Sequence, residues 1–230
     1  MQRVEEEELL DSDQWSPEEV SCALTAIRRV NYLYGGDKMH KVLFRRVAAQ
    51  MPAKSMKILE VASGRAEVLQ AASMMLLKQG FTLDITLLDR SALHLPQHRD
   101  WNPAVPMPTL ITGDALELPL ADGSMDVVAC CLFLHHLGPR QAALFLQEAL
   151  RVARVAVLIN DVERSRMNYL LSNFYTLVDP SKLSRHDGPT SVRQAYTFCE
   201  MQDLLRATGA HYDLRRGYLF RLGATLWKNG

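Results

Sequence analysis

Three acidic residues, Glu60, Asp89 and Asp114, lie at or near the ends of three successive apolar runs. The first run leads into Ala62 and Gly64, which belong to a turn of small residues whose backbone N–H groups a ligand can approach closely. In an open parallel sheet, ligands bind in the crevice outside the carboxyl ends of the strands. The pattern therefore predicts a cofactor site built from this turn and from one acid per strand end.

The charge of the turn distinguishes two adenosine ligands that suit this pattern, a dinucleotide such as NAD and S-adenosylmethionine. A dinucleotide places its pyrophosphate at the start of the following helix, where this chain has Glu67. Two unit charges ~4 Å apart repel each other by roughly 4 kcal/mol at an effective dielectric of about 20. S-adenosylmethionine has no phosphate and carries an ammonium and a sulfonium, so Glu60 and Glu67 attract it. We predict S-adenosylmethionine, and a nicotinamide-dependent reductase with Arg90 on a 2′-phosphate is the less favoured alternative.

The other strand ends predict further cofactor contacts. Asp89 is placed to accept hydrogen bonds from both ribose hydroxyls. Asp114 is placed to accept one from the adenine amino group, and Ala115 to offer its backbone N–H, although an acid beside Gly113 also fits a simple turn role. Cys131, at the exit of the fourth strand, either lines the methionine portion of the cofactor or packs in the core.

Candidate residues for the methyl acceptor follow the later strands. His136 lies just beyond the fourth strand and is a candidate base, with a structural hydrogen-bonding role as its alternative. Asn160 and Asp161 end the fifth strand, where they face the same crevice or simply turn the chain. Arg185 and His186 lie in a polar segment that we predict to be a lid, and His186 is a second candidate base.

Composition excludes several classes of function. The 230 residues are 48% hydrophobic and 23% charged, which is typical of one globular domain, and 26 basic residues balance 26 acidic ones. Charge balance does not favour nucleic acid, and no apolar run is long enough to span a bilayer. We expect a cytoplasmic monomer or homodimer that acts on a small molecule and binds no metal. The four cysteines lack metal-ligand spacing and are predicted to be free core thiols: Cys22, Cys130, Cys131 and Cys199.

Hydrophobic periodicity predicts alternating strands and helices. Ser16-Pro17-Glu18-Glu19 predicts a helix start, and Asp37 is predicted to cap a second helix that runs up to Met51. The continuous apolar run Val127 to Leu134 predicts a central parallel strand. The other predicted strands are Ile58 to Val61, Leu83 to Leu88, Thr109 to Thr112 and Val155 to Ile159, with helices over Glu67 to Gln79, Pro139 to Arg151, Arg164 to Val178 and Glu200 to Thr208.

The predicted fold is therefore α/β, a doubly wound and mostly parallel seven-stranded sheet with helices on both faces. Two strand-like runs flanking Gly217 predict a C-terminal antiparallel hairpin. We divide the single domain into an N-terminal helical cap (1–52), a cofactor-binding core (53–162), a helical and loop lid (163–198), and a C-terminal helix with the hairpin (199–230).

The chain resembles the class I S-adenosylmethionine-dependent methyltransferases over roughly residues 50 to 160. The segments that carry the resemblance are the loop Glu60 to Ala66, the acid Asp89, the edge Gly113 to Leu120, and the fourth strand with its exit, Met125-Asp126-Val127-Val128 through His135-His136-Leu137. The resemblance implies methyl transfer from S-adenosylmethionine.

The loop departs from that family at Ala62 and Ala66, where the family has glycine. Alanine at the first position also resembles the ubiquinone and menaquinone biosynthesis methyltransferases. A non-catalytic cofactor-binding or regulatory protein is the main alternative function. The longer pattern, which includes Asn31 and the segment Arg185-His186-Asp187-Gly188, resembles a bacterial subgroup associated with polyketide and other secondary metabolism. That likeness implies a small, phenolic or polyketide-type acceptor, with O-methylation favoured.

Overall fold

The computed structural model describes residues 1–12, 14–176 and 181–228. Its strands are β1 Ser55–Val61, β2 Thr82–Asp89, β3 Thr109–Thr112, β4 Met125–Cys131, β5 Ala153–Val162, β6 His211–Arg216 and β7 Arg221–Trp227. Its helices are α1 Pro17–Leu33, α2 Gly36–Ala48, α3 Glu67–Lys78, α4 Pro139–Val152, α5 Arg166–Thr176, α6 Lys182–Gln194 and α7 Phe198–Ala207.

The seven strands form one sheet in the order β3-β2-β1-β4-β5-β7-β6. Strands β1 to β5 pair in parallel, with Ile58 beside both Ile85 and Val127. Strand β7 is antiparallel to both of its neighbours, β5 and β6. The mostly parallel sheet and the C-terminal antiparallel hairpin that the sequence predicts are confirmed.

Helices cover both faces of the sheet because successive residues of each strand point to opposite sides. Ile58 packs in the apolar cluster that includes Phe44 of α2 and Leu76 of α3. Leu59 packs in the opposite cluster, which includes Phe145 of α4 and residues of α7. Burial on both faces explains why the central strands are apolar throughout.

The N-terminal helices begin close to the predicted residues. The Ser16 hydroxyl accepts a hydrogen bond from the Glu19 backbone N–H, and the Glu19 carboxylate accepts one from the Ser16 N–H, so the predicted capping box is confirmed. The predicted cap at Asp37 is wrong, because Gly35 occupies that position with φ 77°. Asp37 lies inside the first turn of α2 and accepts hydrogen bonds from Arg28 at 2.6 and 2.8 Å.

Strand β4 ends earlier than its apolar run. The prediction extended the strand to Leu134, but Leu132 has φ 55° and turns the chain out of the sheet. A short 3-10 turn over Leu134–His136 follows. The turn directs both histidines toward the carboxyl ends of the strands.

The polar segment predicted as a loop lid is a helix in its described part. Residues 182–194 form α6, although they include Gly188 and Pro189. Asp187 of α6 accepts hydrogen bonds from the backbone N–H groups of Leu9 and Leu10. Contacts with the N-terminal segment, residues 1–12, therefore stabilise a helix whose composition does not predict one. The predicted ends Val178 and Pro180 lie outside the described residues.

Two other predictions concern cysteines and membrane spans. All four cysteines are free, but Cys22 and Cys199 are exposed, so the prediction of core thiols is wrong for this pair. Both lie on helices where one face contacts solvent. Among the described residues, no helix is both long and apolar enough to cross a bilayer.

Candidate active site

A cavity of about 980 Å³ lies at the carboxyl ends of β1 to β4. The loops that follow these strands form its floor. The N-terminal segment, α1 and α6 form its other walls, with Glu8, Leu24 and Ser191 among the lining residues. This is the crevice in which ligands bind to open α/β sheets.

The loop after β1 follows a left-handed backbone at three alternate positions. Ala62, Gly64 and Ala66 have φ values of 50°, 48° and 52°. This conformation favours glycine, so the two alanines hold a strained backbone. The surrounding structure holds this tight turn against the strain. The turn leads directly into α3, and it lines the cavity as predicted.

Asp89 organises the next part of the floor. Its Oδ2 accepts a hydrogen bond from the Gly64 N–H at 2.9 Å, and its Oδ1 accepts one from the Ser91 N–H at 3.2 Å. His94 Nδ1 lies 3.3 Å from the same Oδ1. The carboxylate is buried yet lines the cavity. It therefore links the loop after β1 to the end of β2, where the predicted ribose contact would be made.

Glu60 places a buried negative charge under the cavity. Its Oε2 lies 3.4 Å from His40 Nε2, and no described residue gives this oxygen a hydrogen bond of normal geometry. His40 is itself buried, and its Nδ1 lies 3.5 Å from Asn160 Nδ2. A buried carboxylate with spare acceptor capacity fits a cationic ligand.

The remaining predicted cofactor residues also line the cavity: Arg90, Asp114, Ala115 and Cys131. Asp114 Oδ1 accepts a hydrogen bond from the Leu116 N–H at 2.8 Å, which is the turn role that the sequence left open. Burial raises the pKa of the Cys131 thiol, so this side chain is neutral. The Arg90 guanidinium donates to the backbone carbonyl of Asp11 in the N-terminal segment.

His135 lies between two buried carboxylates. Its Nδ1 is 2.7 Å from Asp161 Oδ1, and its Nε2 is 3.5 Å from Glu8 Oε1. Burial alone would lower the pKa of His135, but Asp161 and Glu8 outweigh it and raise the pKa to about 10. The same contacts with His135 lower the pKa of Asp161 against the effect of its burial. His135 is therefore an imidazolium at neutral pH.

His136 lies beside it at the cavity wall. Its Nδ1 is 2.9 Å from Asp11 Oδ2, and its Nε2 is 3.9 Å from Glu8 Oε2. Burial alone would raise the pKa of Glu8, but the nearby imidazoles of His136 and His135 and the hydrogen bond from the Ser191 hydroxyl outweigh it and lower the pKa. Because ionised Asp11 can only accept, it holds the proton on His136 Nδ1 and leaves Nε2 directed toward Glu8.

The structure does not bring every predicted acceptor residue to the cavity wall. Asp161 contacts His135 beneath the wall, and Asn160 donates to the Gly36 carbonyl at 2.9 Å inside the core. Arg185 and His186 lie on α6 outside the described lining residues, and His186 Nδ1 is 2.9 Å from Asp187 Oδ1. A role for these residues in acceptor binding stays a prediction.

Residues 59–157 match the family model described as a methyltransferase domain. The matched segment runs from β1 into β5 and contains the loop, Asp89, Asp114 and the two histidines. These residues form a methyltransferase domain. The resemblance to methyltransferases that the sequence predicts is confirmed for this segment.

Solved structures of low sequence identity share the fold of this methyltransferase domain and its flanking elements. The plantazolicin methyltransferase BpumL in complex with SAH is 14% identical, with a TM-score of 0.71 over 96% of this chain and 93% of that one. A SAM-dependent methyltransferase from Aquifex aeolicus is 16% identical, with a TM-score of 0.58 over 94% and 100%. The CurJ carbon methyltransferase is 10% identical, with a TM-score of 0.63 over 83% and 54%. The search of curated protein sequences found no match to the chain.

Sequence reasoning missed the wall that the N-terminal segment contributes to the methyltransferase site. Glu8 ends an acidic run that starts at Glu5, yet it is buried against the two histidines. Arg3 fixes the segment by donating to the carbonyls of His135 and Leu137 at 3.0 and 2.8 Å. A run of acids near a chain end resembles a solvated tail, so no local signal distinguishes Glu8 from its neighbours.

Proposed function

We propose that this chain transfers the methyl group of S-adenosylmethionine to an oxygen of a small acceptor of the phenolic or polyketide type. The observation that carries the proposal is that one cavity holds both halves of the site. Its floor has the loop after β1 and Asp89, and its opposite wall has His136 with Glu8 and Asp11. Ligand cavities commonly measure roughly 300–1,000 Å³, so about 980 Å³ suits a cofactor and a small acceptor together.

The chain's own groups fit the cofactor by charge and shape. When bound, S-adenosylmethionine supplies a methyl group that is already activated on a sulfonium. Glu60, with an unsatisfied buried oxygen, favours a cationic ligand, and the Asp89 carboxylate offers acceptors at the end of β2. The N-terminal segment and α1 form part of the cavity wall and limit the access of water to it. Alignment of two reactants in such a site can contribute roughly 7–11 kcal/mol to catalysis.

His136 is the group that we propose to accept the proton of the acceptor hydroxyl. Its side chain is 22% exposed at the cavity wall, its Nδ1 lies 2.9 Å from Asp11 Oδ2, and its Nε2 is directed toward Glu8. His135 cannot take this role at neutral pH because its raised pKa keeps it protonated. The His135 imidazolium instead holds Glu8 and Asp161 in place.

A labelled-methyl assay against a panel of phenols, hydroxylated polyketides, amines and quinone-like compounds tests the proposal. We expect transfer to a hydroxyl, and we expect His136→Gln to reduce turnover about 100-fold while SAH affinity measured by titration calorimetry stays within twofold. His211→Gln, at an exposed position of the edge strand β6, is the matched histidine control. His186→Gln separately tests the second candidate base. Transfer to an amine or carbon alone would contradict O-methylation.

The two alternative functions have distinct outcomes. Cofactor binding without transfer to any compound would favour a non-catalytic protein. A nicotinamide-dependent reductase would require NADPH, and not S-adenosylmethionine, to protect the fold against thermal unfolding. Arg90 disfavours that alternative, since its guanidinium binds the Asp11 carbonyl.

A further inference from the structure

Glu8, His135 and His136 form a cluster, here the Glu8–histidine cluster, whose donor atoms converge at the cavity wall. One ligand-type atom from each residue lies within 4.8 Å of the other two. The two distances to the Glu8 carboxylate are 3.5 Å from His135 Nε2 and 3.9 Å from His136 Nε2. Both are longer than normal hydrogen bonds. Among the described residues, the buried His135 Nε2 has no hydrogen-bond partner of normal geometry.

The spacing matches that of ligands around a small cation. Two ligands each ~2.1 Å from a tetrahedral ion are separated by roughly 3.4 Å. The distances from His135 Nε2 to Glu8 Oε1, 3.5 Å, and from His136 Nε2 to Glu8 Oε2, 3.9 Å, are both close to this value. One donor atom from each of the three residues lies within 4.8 Å of the other two, so the set must contract by up to about 1.4 Å around an ion. Two imidazole nitrogens and one carboxylate are also the protein ligands of many catalytic zinc sites, which keep a further position open.

Both histidines have the second-sphere arrangement that metal ligands have. His135 Nδ1 is 2.7 Å from Asp161, and His136 Nδ1 is 2.9 Å from Asp11. Carboxylates in these positions hold the proton on Nδ1, orient the rings and direct the Nε2 lone pairs toward a metal. The Glu8 carboxylate is oriented in turn by the Ser191 hydroxyl, which donates to Oε1 at 2.5 Å. The rings and the carboxylate are therefore fixed before any ion arrives.

The local charge also favours a dication. Three carboxylates, Glu8, Asp11 and Asp161, contact the two imidazoles. The positive groups nearby are Arg90, which donates to the Asp11 backbone, Arg3, which donates to the backbone of His135, and buried Arg221, whose charge lowers the pKa of Asp161. With both imidazoles neutral, three negative charges would face the site.

We propose that Glu8, His135 and His136 bind one divalent transition-metal ion of the Zn²⁺ class, with an open coordination position toward the cavity. Imidazole nitrogens and a carboxylate suit such ions, whereas Mg²⁺ and Ca²⁺ prefer all-oxygen sites. This departs from the expectation, drawn from the sequence, that the chain binds no metal. The sequence could not show it because Glu8 is separated by 127 positions from His135.

The ion would change how the acceptor is activated, a point that rests on the function proposed above. A hydroxyl bound at the open position of a metal ion loses its proton more readily. In the loaded protein His136 Nε2 would be a ligand, so the ion would replace it as the group that favours the oxyanion, and the hydroxyl proton would pass to solvent water. Metal binding itself does not require that the chain methylates a phenol.

The test measures metal binding without cofactor or acceptor. Protein dialysed against EDTA is titrated with Zn²⁺ by calorimetry, and Co²⁺ is added as a spectroscopic probe. We expect one ion per chain and d–d absorption bands typical of a four- or five-coordinate Co²⁺ site. His136→Ala and Glu8→Gln should each weaken Zn²⁺ binding at least 30-fold, and Asp11→Asn about 10-fold.

His211→Ala is the matched control and should leave Zn²⁺ affinity unchanged. Circular dichroism checks that each variant is folded, and His136→Ala is the main variant because its side chain is partly exposed. Absence of stoichiometric Zn²⁺ and Co²⁺ binding in the wild-type protein would overturn the proposal, and so would binding that His136→Ala leaves intact. Failure of methyl transfer with intact Zn²⁺ binding would count only against the proposed function.

Discussion

Replacing Ala62 with glycine should stabilise the protein, which is opposite to the usual effect of glycine. Ala62 has φ 50°, and an L-residue in this region costs roughly 1–2 kcal/mol. Ala62→Gly removes that cost, but glycine also raises the conformational entropy of the unfolded chain, which lowers the unfolding free energy by about 0.4–1 kcal/mol. Part of a methyl group, worth up to about 0.8 kcal/mol when fully buried, is also lost from this half-buried residue. We expect a net gain of about 0.5 kcal/mol.

Gly64→Ala is the matched reverse substitution in the same loop. Gly64 has φ 48°, and an added Cβ would lie 3.7 Å from Leu24 Cδ2, an ordinary contact. The substitution therefore tests the backbone cost with little steric change, and we expect a loss of about 0.5–1 kcal/mol. Urea unfolding at constant m-value measures both variants. If Ala62→Gly lowers the unfolding free energy by 1 kcal/mol or more, the loop is not held in the left-handed region and the reasoning fails.

Three further predictions concern polar residues around the cavity. Asp89→Ala should weaken SAH binding about 10- to 100-fold in calorimetry while the fold persists, and unchanged affinity would remove Asp89 from the site. The raised pKa of His135 stabilises the fold fully below about pH 6.5, and this contribution is lost as pH rises through about 10. The unfolding free energy of the wild-type protein, measured by urea titration in EDTA, should therefore fall between pH 7 and 9.5. In Asp161→Asn it should fall less. Asn31→Ala removes the oxygen that accepts a hydrogen bond from Nη2 of fully buried Arg221 at 2.6 Å, and it should lower the unfolding free energy by about 2–4 kcal/mol. A decrease of less than about 1 kcal/mol would show that this hydrogen bond contributes little.

The alternation of apolar runs and helix starts was enough to predict the fold. Strand β3 has the bounds Thr109–Thr112 that the sequence predicts, and α4 begins at the predicted Pro139. Local signals succeed here because burial on both faces of a parallel sheet requires continuous apolar strands. They fail at α6, whose polar sequence is helical because Asp187 and Ser191 bind the N-terminal segment. Such a long-range contact has no local pattern.

The cofactor half of the site was predictable for the same reason that the fold was. Asp89 and the loop after β1 are fixed by strand ends, which the sequence shows. The acceptor half is assembled from segments that are distant in the chain. The sequence therefore did not predict the role of Glu8 or the difference between His135 and His136. That difference depends on which carboxylate each Nδ1 contacts, Asp161 or Asp11.

A crystal structure of the protein with SAH would test the central claim most directly. The account predicts density for SAH in the cavity between Gly64 and Asp114, with its ribose hydroxyls on Asp89 and its sulfur directed toward the His136 wall. Density for a dinucleotide pyrophosphate at the start of α3 in a competition soak, or no SAH density in the cavity, would contradict it.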